Sequence, residues 1–133
     1  MKRLLCTLLF LAAVCTAAFA ADQVYCKWCG SSFAGAQQLA ASPCTKSPTR
    51  KHELYGGAAR RFYVCQYCAA ESANFTQLVT SPCSKSPTNY HAAYEGAEKA
   101  SYTCKHCGFQ SQSFKQLVLS PCTKSPRTYH DPL

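Results

Sequence analysis

Several features that define common protein classes are missing from this sequence. After residue 20 there is no apolar run of the about 20 residues that a membrane-spanning helix needs. No constellation of Ser, His and Asp points to a hydrolase, and no alternation of strands and helices supplies the setting of a thioredoxin-type redox site. We therefore expect neither a membrane span in this part of the chain nor an enzyme.

Cysteine, by contrast, is abundant. The chain contains 11 cysteines in 133 residues. That density is typical of disulfide scaffolds and of metal sites, so the cysteines are the first feature that a functional hypothesis has to explain.

The first 20 residues have the composition of a secretory signal peptide. A basic start, Met1-Lys2-Arg3, precedes an apolar run from Leu4 to Phe19 and the small-residue cleavage motif Ala18-Phe19-Ala20. We predict cleavage after Ala20 and export of residues 21–133, to a periplasm or to the medium. A membrane anchor is the alternative, but the run is short for a span. A lipoprotein signal would need a small residue where Val14 precedes Cys15.

Removal of this segment changes both the charge and the cysteine count. Cys6 and Cys15 are lost, which leaves nine cysteines, and loss of Lys2 and Arg3 lowers the formal charge from +8 to +6. Disulfide scaffolds of exported proteins normally contain an even number of cysteines. Nine is odd, so disulfides alone do not explain the pattern.

A shift of 39 residues superimposes the chain on itself. All nine remaining cysteines and three of the four histidines follow one rule: Cys-x2-Cys, fourteen residues, Cys, seven residues, His. A fixed period marks repeated structural units, so we divide the chain into a signal peptide (1–20), module 1 (21–57), module 2 (58–96) and module 3 (97–133). The predicted metal ligands are Cys26, Cys29, Cys44 and His52 in module 1, Cys65, Cys68, Cys83 and His91 in module 2, and Cys104, Cys107, Cys122 and His130 in module 3.

Zinc is the metal that this ligand set favours. A module of this size has too few apolar residues to fold on its own core. Three thiolates and one imidazole complete the closed tetrahedral set of a structural zinc site, so we predict three zinc ions per chain. Two alternatives stay open: disulfides that leave one odd thiol per copy, and iron or copper at the thiolates. Four protein ligands leave no position for water, so we expect no hydrolytic chemistry at these metals.

The residues between the ligands predict a short β-hairpin and a short helix in each copy. Gly30 and Gly108 follow the second Cys, where a tight turn needs positive φ, and Ala69 takes that place in module 2. The helix candidates are residues 35–41, 73–80 and 113–119, each ended by a Ser-Pro pair. A shared Tyr and Gly after the His, in His52–Gly57 and His91–Gly96, predict short, partly ordered linkers.

Two further sets of equivalent residues each have two interpretations. Trp28, Tyr67 and His106 lie inside the Cys-x2-Cys turns, where they either cover the metal or form a repeated contact with a partner. His106 is also expected to be a surface side chain. Lys46, Lys85 and Lys124 follow the third Cys, where they either offset the thiolate charge or contact phosphate.

The spacing resembles known zinc modules. Cys26-x2-Cys29-x3-Phe33-x5-Leu39 resembles the first half of a two-cysteine, two-histidine zinc finger, which implies three tandem ββα-like, metal-stabilised α+β modules. In the later copies the Phe stands at Phe75 and Phe114, and the third ligand is a Cys beyond a Pro. The chain is also similar to an uncharacterised family of bacterial tandem modules with a Tyr-x-Cys-x2-Cys start, a central Cys and a Lys-His-Glu-Leu-Tyr ending, here residues 51–55.

We expect a non-enzymatic array that presents rigid units to a protein or surface partner. One alternative is extracellular zinc storage or buffering. Another is nucleic-acid binding, if the chain is not exported. Each site of three thiolates and one divalent ion adds −1, which lowers the charge from +6 to +3, and Lys115 is the only basic residue in the candidate helices. We therefore do not expect nucleic acid as the partner of the exported protein.

Overall fold

The computed structural model describes residues 23–133, which form three ββα units in chain order. Module 1 consists of β1 (Val24–Tyr25), β2 (Ser32–Phe33) and α1 (Ala36–Ala41). Module 2 consists of β3 (Tyr63–Val64), β4 (Glu71–Ser72) and α2 (Phe75–Thr80). Module 3 consists of β5 (Tyr102–Thr103), β6 (Gln110–Ser111) and α3 (Phe114–Leu119). The predicted fold class of three ββα-like modules is confirmed.

The predicted signal peptide lies outside the described residues. In the part of the chain that the structure does describe, no helix has the length and apolar character that crossing a bilayer requires.

Each hairpin is antiparallel and encloses one Cys-x2-Cys turn. In module 1, Val24 is opposite Phe33 and Tyr25 is opposite Ser32, and the other two hairpins repeat this register. The turn closes with an N–H from the residue after the second Cys to the carbonyl of the first, at 2.9 Å in every module. The donors Gly30, Ala69 and Gly108 have φ of 72°, 57° and 74°. The positive φ is thus as predicted, and Ala69 adopts it at a cost of about 1–2 kcal/mol.

The helices are six residues long and start within two residues of the predicted positions. The Asn74 side chain accepts the Gln77 N–H and caps α2, and Ser113 caps α3 in the same way through Gln116. Gly35 precedes α1 and has no side chain to offer. All three helices end at the residue before a Ser-Pro pair, as the restriction on residues preceding proline predicts.

The residues after each His belong to the module and are not simply a linker. In module 1, the Tyr55 N–H donates to the Tyr25 carbonyl at 2.8 Å, and the Lys27 N–H donates to the Glu53 carbonyl at 2.9 Å. Modules 2 and 3 form the equivalent pairs, at 2.8–3.0 Å. The linker interpretation of His52–Gly57 and His91–Gly96 is corrected accordingly, because the first residues of each segment pair with the first strand of their own hairpin.

Adjacent modules dock through a tyrosine at the end of this tail. The Tyr55 side chain is buried against the rings of Phe75 and Tyr63 in module 2, with centroids 4.6 and 6.0 Å away. Tyr94 repeats the arrangement on Phe114 and Tyr102 in module 3, at 4.6 and 6.3 Å. Such ring pairs contribute about 0.5–1.5 kcal/mol beyond their burial. The modules are therefore packed against each other.

Two glycines make room for these rings. Gly57 and Gly96 follow the docking tyrosines by two residues, and a Cβ at either position would collide with the phenol of Tyr55 or Tyr94. The shared Tyr and Gly of the sequence therefore form one packing unit.

A second set of contacts crosses the same junctions. The Lys46 Nζ lies 4.7 Å from the ring centroid of Tyr90 in module 2, and the Lys85 Nζ lies 4.1 Å from that of Tyr129 in module 3. These lysines thus have a role that neither of the two interpretations anticipated, as cation–π links between modules. At the first junction the Thr76 hydroxyl also donates to the Gly30 carbonyl at 2.8 Å.

Candidate metal centre

The Cys-x2-Cys turn directs one backbone N–H at the first sulfur of each site. The backbone N–H of Trp28 points at the Cys26 Sγ, 3.4 Å away, and Tyr67 and His106 repeat this contact at the same distance. A thiolate accepts such a hydrogen bond more strongly than a thiol does, and the thiolate is the form that binds metal.

The third cysteine of each site is placed by a loop that was only partly predicted. The N–H groups of Cys44, Cys83 and Cys122 donate to carbonyls six residues later, at 2.9, 2.8 and 2.7 Å. Those acceptor residues have positive φ near 60° and are Arg50, Asn89 and Thr128. Only Asn89 has a side chain that signals such a conformation. The loop returns the chain so that the His reaches the two cysteines of the hairpin.

The histidine completes each site through its Nδ1 atom. The Sγ of the second cysteine lies 3.5 Å from the His52 Nδ1 in module 1, 3.3 Å from the His91 Nδ1 in module 2 and 3.4 Å from the His130 Nδ1 in module 3. The three sites therefore share one ligand geometry as well as one spacing.

The structure brings all twelve predicted ligands together in three groups. Within each group the candidate donor atoms lie within 4.8 Å of one another. A tetrahedral zinc has Zn–S bonds of about 2.3 Å and Zn–N bonds of about 2.0 Å, which places its donor atoms roughly 3.5–3.8 Å apart. The Sγ–Nδ1 distances, and the 4.0 Å between the Cys26 and Cys44 sulfurs, lie within about 0.2 Å of this range. The donor sets are consistent with three zinc ions per chain.

The disulfide alternative does not fit this geometry. A disulfide needs an S–S distance of about 2.05 Å. The nine cysteines in residues 23–133 are all free thiols in the structure. Each cysteine instead lies in a group of four candidate donors, with the site histidine as the fourth member.

The pKa values of the site thiols indicate how a bound cation would stabilise the thiolates. Burial and the neighbouring Cys65 raise the pKa of Cys68 to about 12. Burial also disfavours the Cys104 thiolate, but hydrogen bonds from His130 and the His106 backbone outweigh it and lower the pKa to about 6. At Cys68, burial and a neighbouring sulfur thus oppose the thiolate, and a bound cation would offset both effects. Burial lowers the pKa of His91, which favours the neutral, metal-binding imidazole.

The three sites differ in what covers the histidine. The ring of Phe33 meets His52 edge-on, with centroids 4.9 Å apart, and the ring of Phe109 stacks on His130 at 4.8 Å. At the middle site a cavity of about 220 Å³ is lined by His91 together with Ala70 and Ser72. No sequence signal predicted these covering rings, because Phe33 and Phe109 occupy different positions of the repeat.

The residues inside the Cys-x2-Cys turns contact their neighbours. The Lys27 Nζ lies 5.2 Å from the Trp28 ring centroid, and the Arg127 guanidinium of module 3 lies 4.4 Å from that of Tyr67. The His106 side chain is partly exposed, and its Nε2 lies 2.8 Å from the Asp131 carboxylate.

No protein-family model, curated protein or solved structure matches this chain. The structure supports the zinc-finger-like interpretation at the level of the unit, whereas the similarity to bacterial tandem modules stays a prediction from the sequence. Each unit is a ββα element with a Cys3His group.

Proposed function

We propose that this protein is an exported, non-enzymatic array of three zinc-stapled modules that presents one rigid surface to a protein or surface partner. The observation that carries the proposal is the burial of Tyr55 and Tyr94 in the next module. Independent units need no such contacts. Docked units hold their surfaces in a fixed relation, so that a partner can contact several of them at once.

A composite groove supports this proposal. Its volume is about 330 Å³, and it is lined by Trp28 of module 1, Tyr67 of module 2, and Lys99 and Leu133 of module 3. Aromatic side chains are enriched where proteins bind one another. A groove that takes residues from all three modules exists only while both junctions are docked, which links zinc binding to the recognition surface.

The chemistry of the metal centres supports a non-enzymatic role. Each group contains four protein donors, and a zinc ion held by four protein ligands has no position for a reactive water. In this proposal the zinc ions supply folding energy, and the side chains of the groove contact the partner.

Zinc storage is the second candidate, and one observation favours it. The cavity at His91 brings solvent to the edge of the middle site. A storage protein has to release metal under conditions in which it stays folded. Nucleic-acid binding remains the third candidate for an unexported chain, and the short helices, with Lys115 as their basic residue, favour it least.

Pulsed electron spin resonance tests the rigid array. Spin labels on unnatural amino acids at Gln37 in module 1 and Gln112 in module 3, both exposed, would report the distance between the outer modules. We expect one narrow distance distribution in the zinc-loaded protein. Tyr55→Ala should broaden it, and Tyr90→Ala, which removes an exposed ring at the same junction, should broaden it less. A broad distribution in the unsubstituted protein would refute the rigid array.

The partner surface has its own test. The zinc-loaded protein is used as bait in extracts of its source cells, beside a Trp28→Ala, Tyr67→Ala variant whose amide spectrum shows that it is folded. Capture that is lost in the variant supports the composite groove. Equal capture by both proteins would place the partner elsewhere. N-terminal sequencing of the protein from fractionated cells tests export, with Ala21 as the expected first residue and Met1 as the contradicting one.

A further inference from the structure

The two outer metal centres share a protection that is built from different residues. In module 1 the ring comes from the second hairpin strand, where Phe33 contacts His52. In module 3 it comes from the residue after the turn glycine, where Phe109 stacks on His130. In both cases a phenyl ring packs against the imidazole that binds through Nδ1, and His52 stays partly exposed whereas His130 is buried. The ring therefore narrows the approach of an incoming ligand to the histidine on the side that it covers.

Module 2 has small residues at both of these positions. The equivalent of Phe33 is Ser72, and the equivalent of Phe109 is Ala70. Together with Leu78 and Ser81, these two residues line a cavity whose wall also includes His91. The middle imidazole is thus partly buried by the module and yet accessible from one side.

The same cavity carries polar groups that suit a small zinc-binding molecule. Glu71 and Gln77 line it beside Ser72, so its wall offers a carboxylate, an amide and a hydroxyl. A molecule with an amine, thiol or carboxylate donor can be hydrated or hydrogen-bonded there while it approaches the ligand edge. The exchange needs no oxidant, because one donor bond to the metal forms as the bond from His91 breaks.

Module 2 is also the module that best tolerates such an event. Its core contains Phe75, Leu78 and Val79, and the Tyr55 ring of module 1 packs into the same cluster. In module 1 the corresponding core contains Leu39 as its one buried non-cysteine side chain. Module 2 therefore has more apolar packing than module 1 to limit its opening while an incoming donor replaces one ligand.

We propose that the middle centre is the exchangeable metal site of the array, with His91 as the ligand that detaches, and that the outer centres are the slow, structural sites. This inference rests on the proposed zinc binding. It assigns different roles to three sites with identical ligands. The outer two sites stabilise the fold, and the middle site exchanges its metal ion with small ligands.

The test uses the full zinc-loaded chain and ¹¹³Cd²⁺ as the probe. Native mass spectrometry first establishes three zinc ions per chain, and failure at this step contradicts the zinc proposal itself. After addition of ¹¹³Cd²⁺, three cadmium resonances are assigned by their couplings to the cysteines of each module and followed over time. We expect the module 2 resonance to grow severalfold faster than the other two. Equal growth, or slower growth in module 2, would overturn the division of roles.

Variants at the position after the turn residue make the test specific. Ala70→Phe introduces in module 2 the ring that Phe109 provides at the equivalent position of module 3, and it should slow exchange in module 2 severalfold. Phe109→Ala should accelerate exchange in module 3. Phe109 is 44% exposed, so its removal is expected to leave the fold intact even if the larger residue at position 70 does not fit. If Phe109→Ala leaves the module 3 rate unchanged, ring cover does not control exchange and the proposal is wrong.

Discussion

Modules 1 and 2 have the same four ligands at the same spacing, yet they differ in the number of apolar side chains that their helices bury and in the capping of those helices. The helix of module 1 buries one residue, Leu39, and follows Gly35, which offers no side-chain cap. The helix of module 2 buries Phe75, Leu78 and Val79 and is capped by Asn74. Metal geometry is thus held constant while apolar packing varies. The comparison indicates that zinc sets the fold of each unit and that module 2 is the centre on which the array packs.

Loss of a metal ligand is the change with the largest expected effect, and its consequences for the neighbouring modules should differ between module 1 and module 2. Structural zinc contributes on the order of 10 kcal/mol to the folding of small finger peptides, far more than either core. In Cys44→Ser we expect module 1 to unfold and modules 2 and 3 to keep their amide NMR signals. In Cys83→Ser module 2 should lose its fixed structure, and the signals of Tyr55 and of the Tyr102–Phe114 site should shift because both junctions pass through module 2.

Simultaneous unfolding of all three modules in either variant would contradict the local role of each zinc. Unchanged signals of Tyr55 in Cys83→Ser would contradict the docking of module 1 on module 2.

Removal of a core ring is expected to have the next largest effect. Phe75→Ala should destabilise module 2 by about 3–5 kcal/mol, because the ring is buried among Tyr25, Tyr55 and Tyr63. Urea unfolding of the zinc-loaded protein, followed at module 2 amides, measures it. Phe109→Ala is the matched control, since it removes an exposed ring from a hairpin and should change the unfolding midpoint little. Equal effects of the two substitutions would show that the module 2 cluster contributes no special stability.

The metal centres could be predicted from the sequence more completely than the contacts between modules. Cysteine and histidine spacing predicted the hairpins and the twelve ligands because those groups act within one copy. The docking of Tyr55 was not predicted, since its partners lie in the next copy and a tyrosine before glycines also suits a linker. A signal was present nevertheless: Tyr63 and Phe75 recur as Tyr102 and Phe114 in modules that follow another module, whereas module 1 has Val24 and Ala36 at those places.

Substitution of the turn glycines should change stability less. It compares a turn that packs against the next module with a turn that is free of such contacts. Gly30 and Gly108 both have positive φ, and an alanine in that conformation costs about 1–2 kcal/mol. At Gly30 the added Cβ would also lie 2.6 Å from the Thr76 Cα of module 2, whereas at Gly108 it meets no atom within 4 Å. We expect Gly30→Ala to cost about 1–3 kcal/mol more than Gly108→Ala, since a close-packed contact has to open.

Chemical denaturation of both glycine variants, with spectra of the Thr76 region, measures this difference. Equal costs would mean that modules 1 and 2 do not touch at this turn in solution.

The helix caps should give the smallest effect. Asn74→Ala removes the acceptor for the Gln77 N–H and should destabilise module 2 by about 1 kcal/mol. Gly35→Asn supplies such an acceptor to module 1 and should stabilise it by a few tenths of that amount. Amide hydrogen exchange in the first turns of α1 and α2 resolves these changes. Faster exchange in α1 after Gly35→Asn would contradict the capping geometry.

Native mass spectrometry of the reduced protein, purified in the presence of zinc, tests the central claim most directly. The twelve donors lie in three closed groups, so the account predicts one dominant species that carries three zinc ions per chain. Cys44→Ser, Cys83→Ser and Cys122→Ser should each shift that species to two zinc ions. A protein that binds fewer than two metal ions under these conditions, or that keeps three after loss of a ligand, would contradict the assignment of one Cys3His zinc site to each module.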